Sequence, residues 1–301
     1  MLQHLEKKNV TMLPGLFRER MLVNRNYLLE LGTQELLQNY YLEAGIVMPD
    51  LQVLEKPETA KLHWGWEAPT CQLRGHFLGH WLSAASSLIA SENDAALKAK
   101  LDEIISELAR CQELNGGEWI GPFPEKYFTR LEKELHIWSP QYVMHKLIMG
   151  LTHAYLYAGN EQALTIVRHL ADWYIRWTEK VQSTNPHAVY SGEESGMLEM
   201  WALLFETTKD PVYETLASRY SNPSLFHKLS EGKDALTNCH TNASIPWAHG
   251  AARMYEVTGD EKYKTIVELF WKCAVTDRGY FCTGSANSGE FWVPPFLSGQ
   301  L

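Results

Sequence analysis

The sequence contains no apolar run long enough to cross a bilayer, and its opening, MLQHLEKKNV, has neither a charged-then-apolar leader nor a small-residue cleavage site. A cytoplasmic location is the expectation. Positive charge is scarce: 27 basic against 36 acidic residues give a net charge of −9, which opposes nonspecific attraction to phosphate backbones or anionic lipid. Neither nucleic acid nor a membrane is an expected partner, and nothing signals an oligomeric state. The five cysteines, Cys71, Cys111, Cys239, Cys273 and Cys282, are odd in number, scattered and without a C-x-x-C pair. Buried free thiols are expected rather than a disulfide framework. Sustained apolar-polar alternation is missing too, apart from a short stretch near Gly279 to Thr283, so a strand-rich fold is excluded.

What the chain does have is a repeated helix-turn-helix unit. The turns read Ala90-Ser-Glu-Asn-Asp, Ala158-Gly-Asn-Glu-Gln, Thr208-Lys-Asp-Pro-Val and Thr258-Gly-Asp-Glu-Lys. Aligned on Asn93, Asn160, Asp210 and Asp260 they recur at steps of 67, 50 and 50 residues, the period of a helical hairpin. In each hairpin the first helix is rich in small residues, as at Gly79, Ser83, Ala84 and Ala85, and the second is amphipathic, as at Leu97, Leu101, Ile104, Ile105 and Leu108. Gly159 and Gly259 suit a left-handed helix end, and the Asn or Asp that follows can cap the next helix. With an opening helix from about Leu16 to Tyr41, the pattern predicts about nine helices: an all-α, (α/α)6-type toroid, incomplete, as a single barrel domain over residues 1–301.

Polar residues gather at the starts of the first helices. His76 and His80 are four apart and share a face, a spacing open to metal binding, to cavity lining or to ordinary hydrogen-bonded packing. His145 and His240 hold matching places in two hairpins, which suggests a shared cavity or helix capping. Glu193, Glu194 and Glu199 mark another entrance, and Glu199 falls in an apolar run, where a carboxylate is costly unless paired or functional. The loop from Val47 to Arg74 is long for a compact domain and holds His63-Trp-Gly-Trp66, aromatic rings able to stack on a ligand. Glu290 stands on a glycine-flanked loop beside Phe291 and Trp292, a setting open to general acid work and equally to plain solvation.

Six ordered segments resemble the β-L-arabinofuranosidases of glycoside hydrolase family 127: Arg74-Gly-His-Phe-Leu-Gly-His80, Ser139-Pro-Gln-Tyr-Val-Met-His145, Gly196-Met-Leu-Glu199, His240-Thr-Asn-Ala-Ser-Ile-Pro246, Tyr255-Glu-Val-Thr-Gly-Asp260 and Thr283-Gly-Ser-Ala-Asn-Ser-Gly-Glu290. The resemblance implies an (α/α)6 barrel and retaining hydrolysis of an L-arabinofuranoside or related oligosaccharide. It makes Glu290 the general acid/base, and gives His145, His240 and Glu199 to the sugar; His76 and Trp66 join them as expected contacts. It also implies a zinc-bound cysteine nucleophile, whose ligands would follow the last residue, Leu301. None of the five cysteines matches those positions, so no zinc ligand is identified in this chain, and the chain alone is expected to be inactive. The alternatives are a noncatalytic carbohydrate-binding or scaffold protein of the same fold, or another α/α-toroid enzyme such as a sugar epimerase or unsaturated glucuronyl hydrolase.

Overall fold

The computed structural model describes residues 5–47, 62–221, 223–279 and 286–297. Its contacts divide the chain into two compact units, Met1–Tyr174 and Ile175–Leu301. The Cys282 position and most of the anticipated strand near Gly279 to Thr283 lie outside the described residues.

Four hairpins form where the turns place them. They are α3 (His76–Glu92) with α4 (Ala95–Leu114), α6 (Pro140–Ala158) with α7 (Glu161–Thr184), α8 (Met197–Thr208) with α9 (Pro211–Tyr220), and α11 (Thr241–Thr258) with α12 (Glu261–Trp271). The unit boundary falls within α7. Three of the second helices open on an aspartate, Asp94, Asp210 or Asp260, whose side chain accepts from backbone N–H groups of the first turn. Asn160 does the same for the Ala163 amide at 2.9 Å. Asn93 is not the cap: it takes the left-handed position that ends α3, and Asp94 follows it as the true counterpart of Asn160.

Twelve α-helices are present among the described residues, against the nine expected. The opening helix is two, α1 (Leu16–Glu30) and α2 (Thr33–Glu43), because the chain turns extended at Leu31 and Gly32. Lys100 stabilises that break by donating to the Leu28, Leu29 and Leu31 carbonyls, a cation at a helix C-terminus. Two short helices, α5 (Lys126–Glu132) and α10 (Ser224–Ser230), occupy connections between hairpins.

In the first unit α3 packs lengthwise on α6. Gly79 and Gly150 make this possible: a Cβ at Gly79 would overlap the Lys146 carbonyl, and one at Gly150 would sit 2.6 Å from the Gly79 carbonyl oxygen. The same seam carries polar groups, among them Ser83 and His153, 2.7 Å apart. A second cluster packs Trp119, Phe123 and Phe128 around Trp173, with Trp119 and Trp173 ring centres 4.7 Å apart. The second unit repeats the plan: α8 packs on α11, and Gly250 lies against the Leu198 side chain.

These contacts generate two expectations. Gly79→Ala gains helix propensity but meets rigid backbone, so it should destabilise the protein by about 1–3 kcal/mol, as overpacking does. Gly250→Ala meets the buried Leu198 side chain at 2.8–2.9 Å rather than backbone, so it too should destabilise the protein, by less than Gly79→Ala in thermal unfolding. A loss at Gly250 equal to that at Gly79 would contradict this account. His153 is driven by burial, and by Lys7 nearby, to a pKa of about 4 from 6.5. Between those values the unfolded chain binds more protons than the folded one, so stability is complete above pH 6.5 and declines as pH falls toward 4. His153→Gln should flatten part of that decline in melting temperature.

Candidate functional site

In the first unit the site grows from the end of α3. The helix starts at Gly75, which has no side chain to cap it, and the carboxylate of Glu67 does so from outside. Glu67 accepts from the Gly75 amide at 2.7 Å, from the Phe77 amide at 3.0 Å and from His76 Nδ1 at 2.7 Å. Burial opposes its charge, but these bonds prevail and hold its pKa below the ordinary carboxylate value. Gln38 and Asn39, both buried on α2, clamp the loop beneath it by donating to the Glu67 carbonyl, and Gln38 bonds His63 through both its amide atoms.

Around this anchor the structure assembles an aromatic rim. The Trp66 ring lies 6.2 Å from His76 and 6.2 Å from Trp138, His80 is 5.9 Å from His76, and Tyr142 is 6.0 Å from it. Trp66 is 62% exposed, so its ring is open to solvent on the rim. His80 is pushed to about 4 by desolvation, then by Lys146 and His76. His145 is buried and held neutral for the same first reason, with Lys146, His80 and His153 adding to it. Neutral imidazoles each offer one hydrogen-bond donor and one acceptor. Lys146 rests against the Tyr142 ring, 4.6 Å from its centre.

In the second unit Glu290 sits on a tight hairpin, β1 (Asn287–Ser288) and β2 (Phe291–Trp292), paired antiparallel with Ser288 opposite Phe291. Its turn residues, Gly289 at φ +54° and Glu290 at φ +71°, both take the left-handed conformation such a two-residue turn demands. The hairpin is fastened to the start of α11. Thr241 donates its amide to the Glu290 carbonyl at 2.8 Å, Trp292 to the Cys239 carbonyl at 3.0 Å, and Asn238 to the Trp292 carbonyl at 3.0 Å. The Trp292 indole donates to Ser244 at 2.7 Å. This lattice brings the exposed Glu290 carboxylate 3.8 Å from His240 Nε2, and the His240 ring 5.8 Å from Phe291.

Two further carboxylates stand at α8. Glu199 is partly buried 3.6 Å from Arg253, which also pairs with Glu206 and Glu256. Burial raises the Glu199 pKa, with Arg253 and His249 opposing. Glu194 is the more deeply buried, 3% exposed; burial lifts its pKa to about 7 despite a hydrogen bond from Trp247, and one of its oxygens has no partner. The structure thus joins Trp66 to His76 in one unit and His240 to Glu290 in the other, and gives Glu199 an arginine partner. The sequence reading passed over Glu67, Tyr142 and Arg253; only the ring of Tyr142, one turn before Lys146, carried any sequence signal.

Among the described residues no group of three His, Cys, Asp or Glu is placed to hold a metal ion. The described cysteines are free thiols, and burial pushes Cys111 up to about 12 and raises Cys239 and Cys273. These residues do not fit the zinc-thiolate centre that the family resemblance implies. No described helix is long and apolar enough to cross a membrane.

A search of curated protein sequences returns no match. The crystal structure of a GH127 β-L-arabinofuranosidase from Geobacillus stearothermophilus T6 superposes with a TM-score of 0.57 at 16% identity, covering 91% of this chain and 45% of that one. That likeness is one of fold, and this chain spans less than half the length of the enzyme it matches. The sequence model of the β-L-arabinofuranosidase GH127 catalytic domain matches residues 9–298. The chain therefore belongs to the GH127 β-L-arabinofuranosidase catalytic-domain family.

Proposed function

We propose that the protein is a retaining glycoside hydrolase acting on a terminal β-linked L-arabinofuranose or a related sugar, with Glu290 as general acid/base. The observation that carries this is the Glu290 carboxylate, held by backbone bonds at a turn and set 3.8 Å from His240 Nε2. A carboxyl group there protonates the departing glycosidic oxygen and later takes a proton from the attacking water. His240 supplies a ring nitrogen beside the reacting oxygen. In the second unit Glu199, steadied by Arg253, is assigned to a sugar hydroxyl; in the first, taken by itself, His145 and His76 offer hydrogen-bonding groups and Trp66 a stacking face.

No step is routed through a metal, because the described residues do not build a site for one, and no nucleophile is assigned to the described thiols. The exposed Trp66 and Trp138 rings favour one second reading: a carbohydrate-binding protein of the same fold.

Given a full-length protein, Glu290→Gln keeps the shape of the turn and removes the proton, so turnover of an aryl β-L-arabinofuranoside should fall by roughly 10²–10⁴-fold. Unchanged turnover would take the acid/base role away from Glu290. Trp66→Ala should weaken sugar binding measured by calorimetry about tenfold, in line with the ~0.5–1.5 kcal/mol of a lost aromatic contact. Sugar binding without turnover by a full-length protein, weakened to that extent by the substitution, would establish the binding-protein reading instead.

A further inference from the structure

Glu290 is exposed, and nothing in its own side chain fixes where it points. What fixes the ribbon that bears it is Arg278, whose guanidinium is fully buried in the second unit. Its donors are divided among four places: Nε to the Val293 carbonyl at 2.6 Å, Nη1 to the Cys273 carbonyl at 2.6 Å, and Nη2 to Asp234 at 2.6 Å and Thr237 at 2.8 Å. Val293 follows directly on the hairpin that turns at Glu290. Asp234 and Thr237 lie on the ribbon that leads to His240, and Cys273 lies just past the end of α12. One side chain therefore holds both strands of the Glu290–His240 pair to the same helix end.

The charge has a reason to be there. A buried guanidinium is costly unless its donors are matched, and here one carboxylate and three neutral oxygens meet it. Burial works against the Asp234 charge, but hydrogen bonds from Arg278, from Thr237 and from the Leu236 amide keep it ionised below the ordinary range. An ammonium group on a flexible stem cannot meet four acceptors set in a planar fork, so lysine is not an equivalent.

We propose that Arg278 is a positioning residue for the reaction, setting the approach of Glu290 to His240 by tying the hairpin and the 234–240 ribbon to the end of α12. The proposal rests on the acid/base reading of Glu290, and its test separates the two. In the full chain, Arg278→Lys should speed amide hydrogen exchange at Asn238, Thr241 and Trp292, whose bonds join the two ribbons, by about tenfold or more, with α8 and α9 unchanged. In a full-length protein acting on the aryl β-L-arabinofuranoside, kcat should drop about tenfold while KM stays within about twofold, the mark of an interaction made in the transition state. If Arg278→Lys fails to fold, as judged by circular dichroism, Asp234→Asn removes one partner and keeps the guanidinium, and the same criteria apply. Unchanged exchange overturns the proposal, and so does faster exchange with unchanged kcat, which would make Arg278 structural only. Wild-type turnover by Glu290→Gln instead removes the acid/base reading, and the exchange data then still decide whether Arg278 ties the ribbons.

Discussion

The rest of the first unit depends on two helices meeting backbone to backbone. Where α3 crosses α6, Gly79 and Gly150 leave no side chain between them, and the carbonyls of Lys146 and Gly79 lie where a Cβ would stand. Contact this close fixes the axial register of both helices, because neither can slide a residue without a side chain entering the gap. Everything at the α3 start inherits that register. His76 meets Tyr142 and His80 lies by Lys146 because their helices are locked one turn away. Polar groups elsewhere along the seam are matched for the same reason, as Ser83 is with His153. A looser interface would let these pairs exchange partners, and the imidazoles would not be held neutral.

The second unit solves a different problem, that of holding an exposed carboxylate in place. A buried group is positioned by its neighbours, but a solvated one is positioned only by its backbone. Here the backbone is constrained from three directions: by the left-handed pair in the turn, by the Glu290 carbonyl that receives the first amide of α11, and by the Trp292 indole against Ser244. The bond to Thr241 matters doubly. It satisfies one of the unpaired amides at a helix start, and it makes that helix start the reference point for the residue expected to do chemistry.

The hairpins were legible because local chemistry dictates them. An Asp or Asn after a helix-ending residue caps the next helix wherever it occurs, so all four turns could be read, although Asn93 was aligned where Asp94 is the cap. The break at Leu31 was not legible, since it is stabilised by Lys100 from another helix. The site divides along the same line. Trp66, His76, His240 and Glu290 stood out as chemistry-bearing types in unusual surroundings. Glu199 drew attention inside an apolar run, yet Glu194, five residues earlier, is the more buried, because burial of a loop residue depends on packing no local pattern records. Glu67 acts on the Gly75 and Phe77 amides, 8 and 10 residues away, and Arg278 on the Cys273 and Val293 carbonyls, 5 and 15 residues away, backbone groups that look alike in any sequence.

The contrast between the carboxylates bears on which of them can act. Burial disfavours the Glu194 charge and lifts its pKa to about 7, and one of its oxygens is enclosed without a partner. Such a group can order its neighbours, but its enclosed oxygen cannot exchange protons with a bulky leaving group unless the entrance opens. Burial raises the Glu199 pKa, with Arg253 opposing, and its carboxylate is held 3.6 Å from the Arg253 guanidinium rather than left free to reach a leaving group. An acid/base must pass through both protonation states in each cycle and reach the glycosidic oxygen in one of them. Exposure, a short approach to a titratable ring and a rigid backbone satisfy those demands together, and among the carboxylates of the second unit singled out here Glu290 has all three.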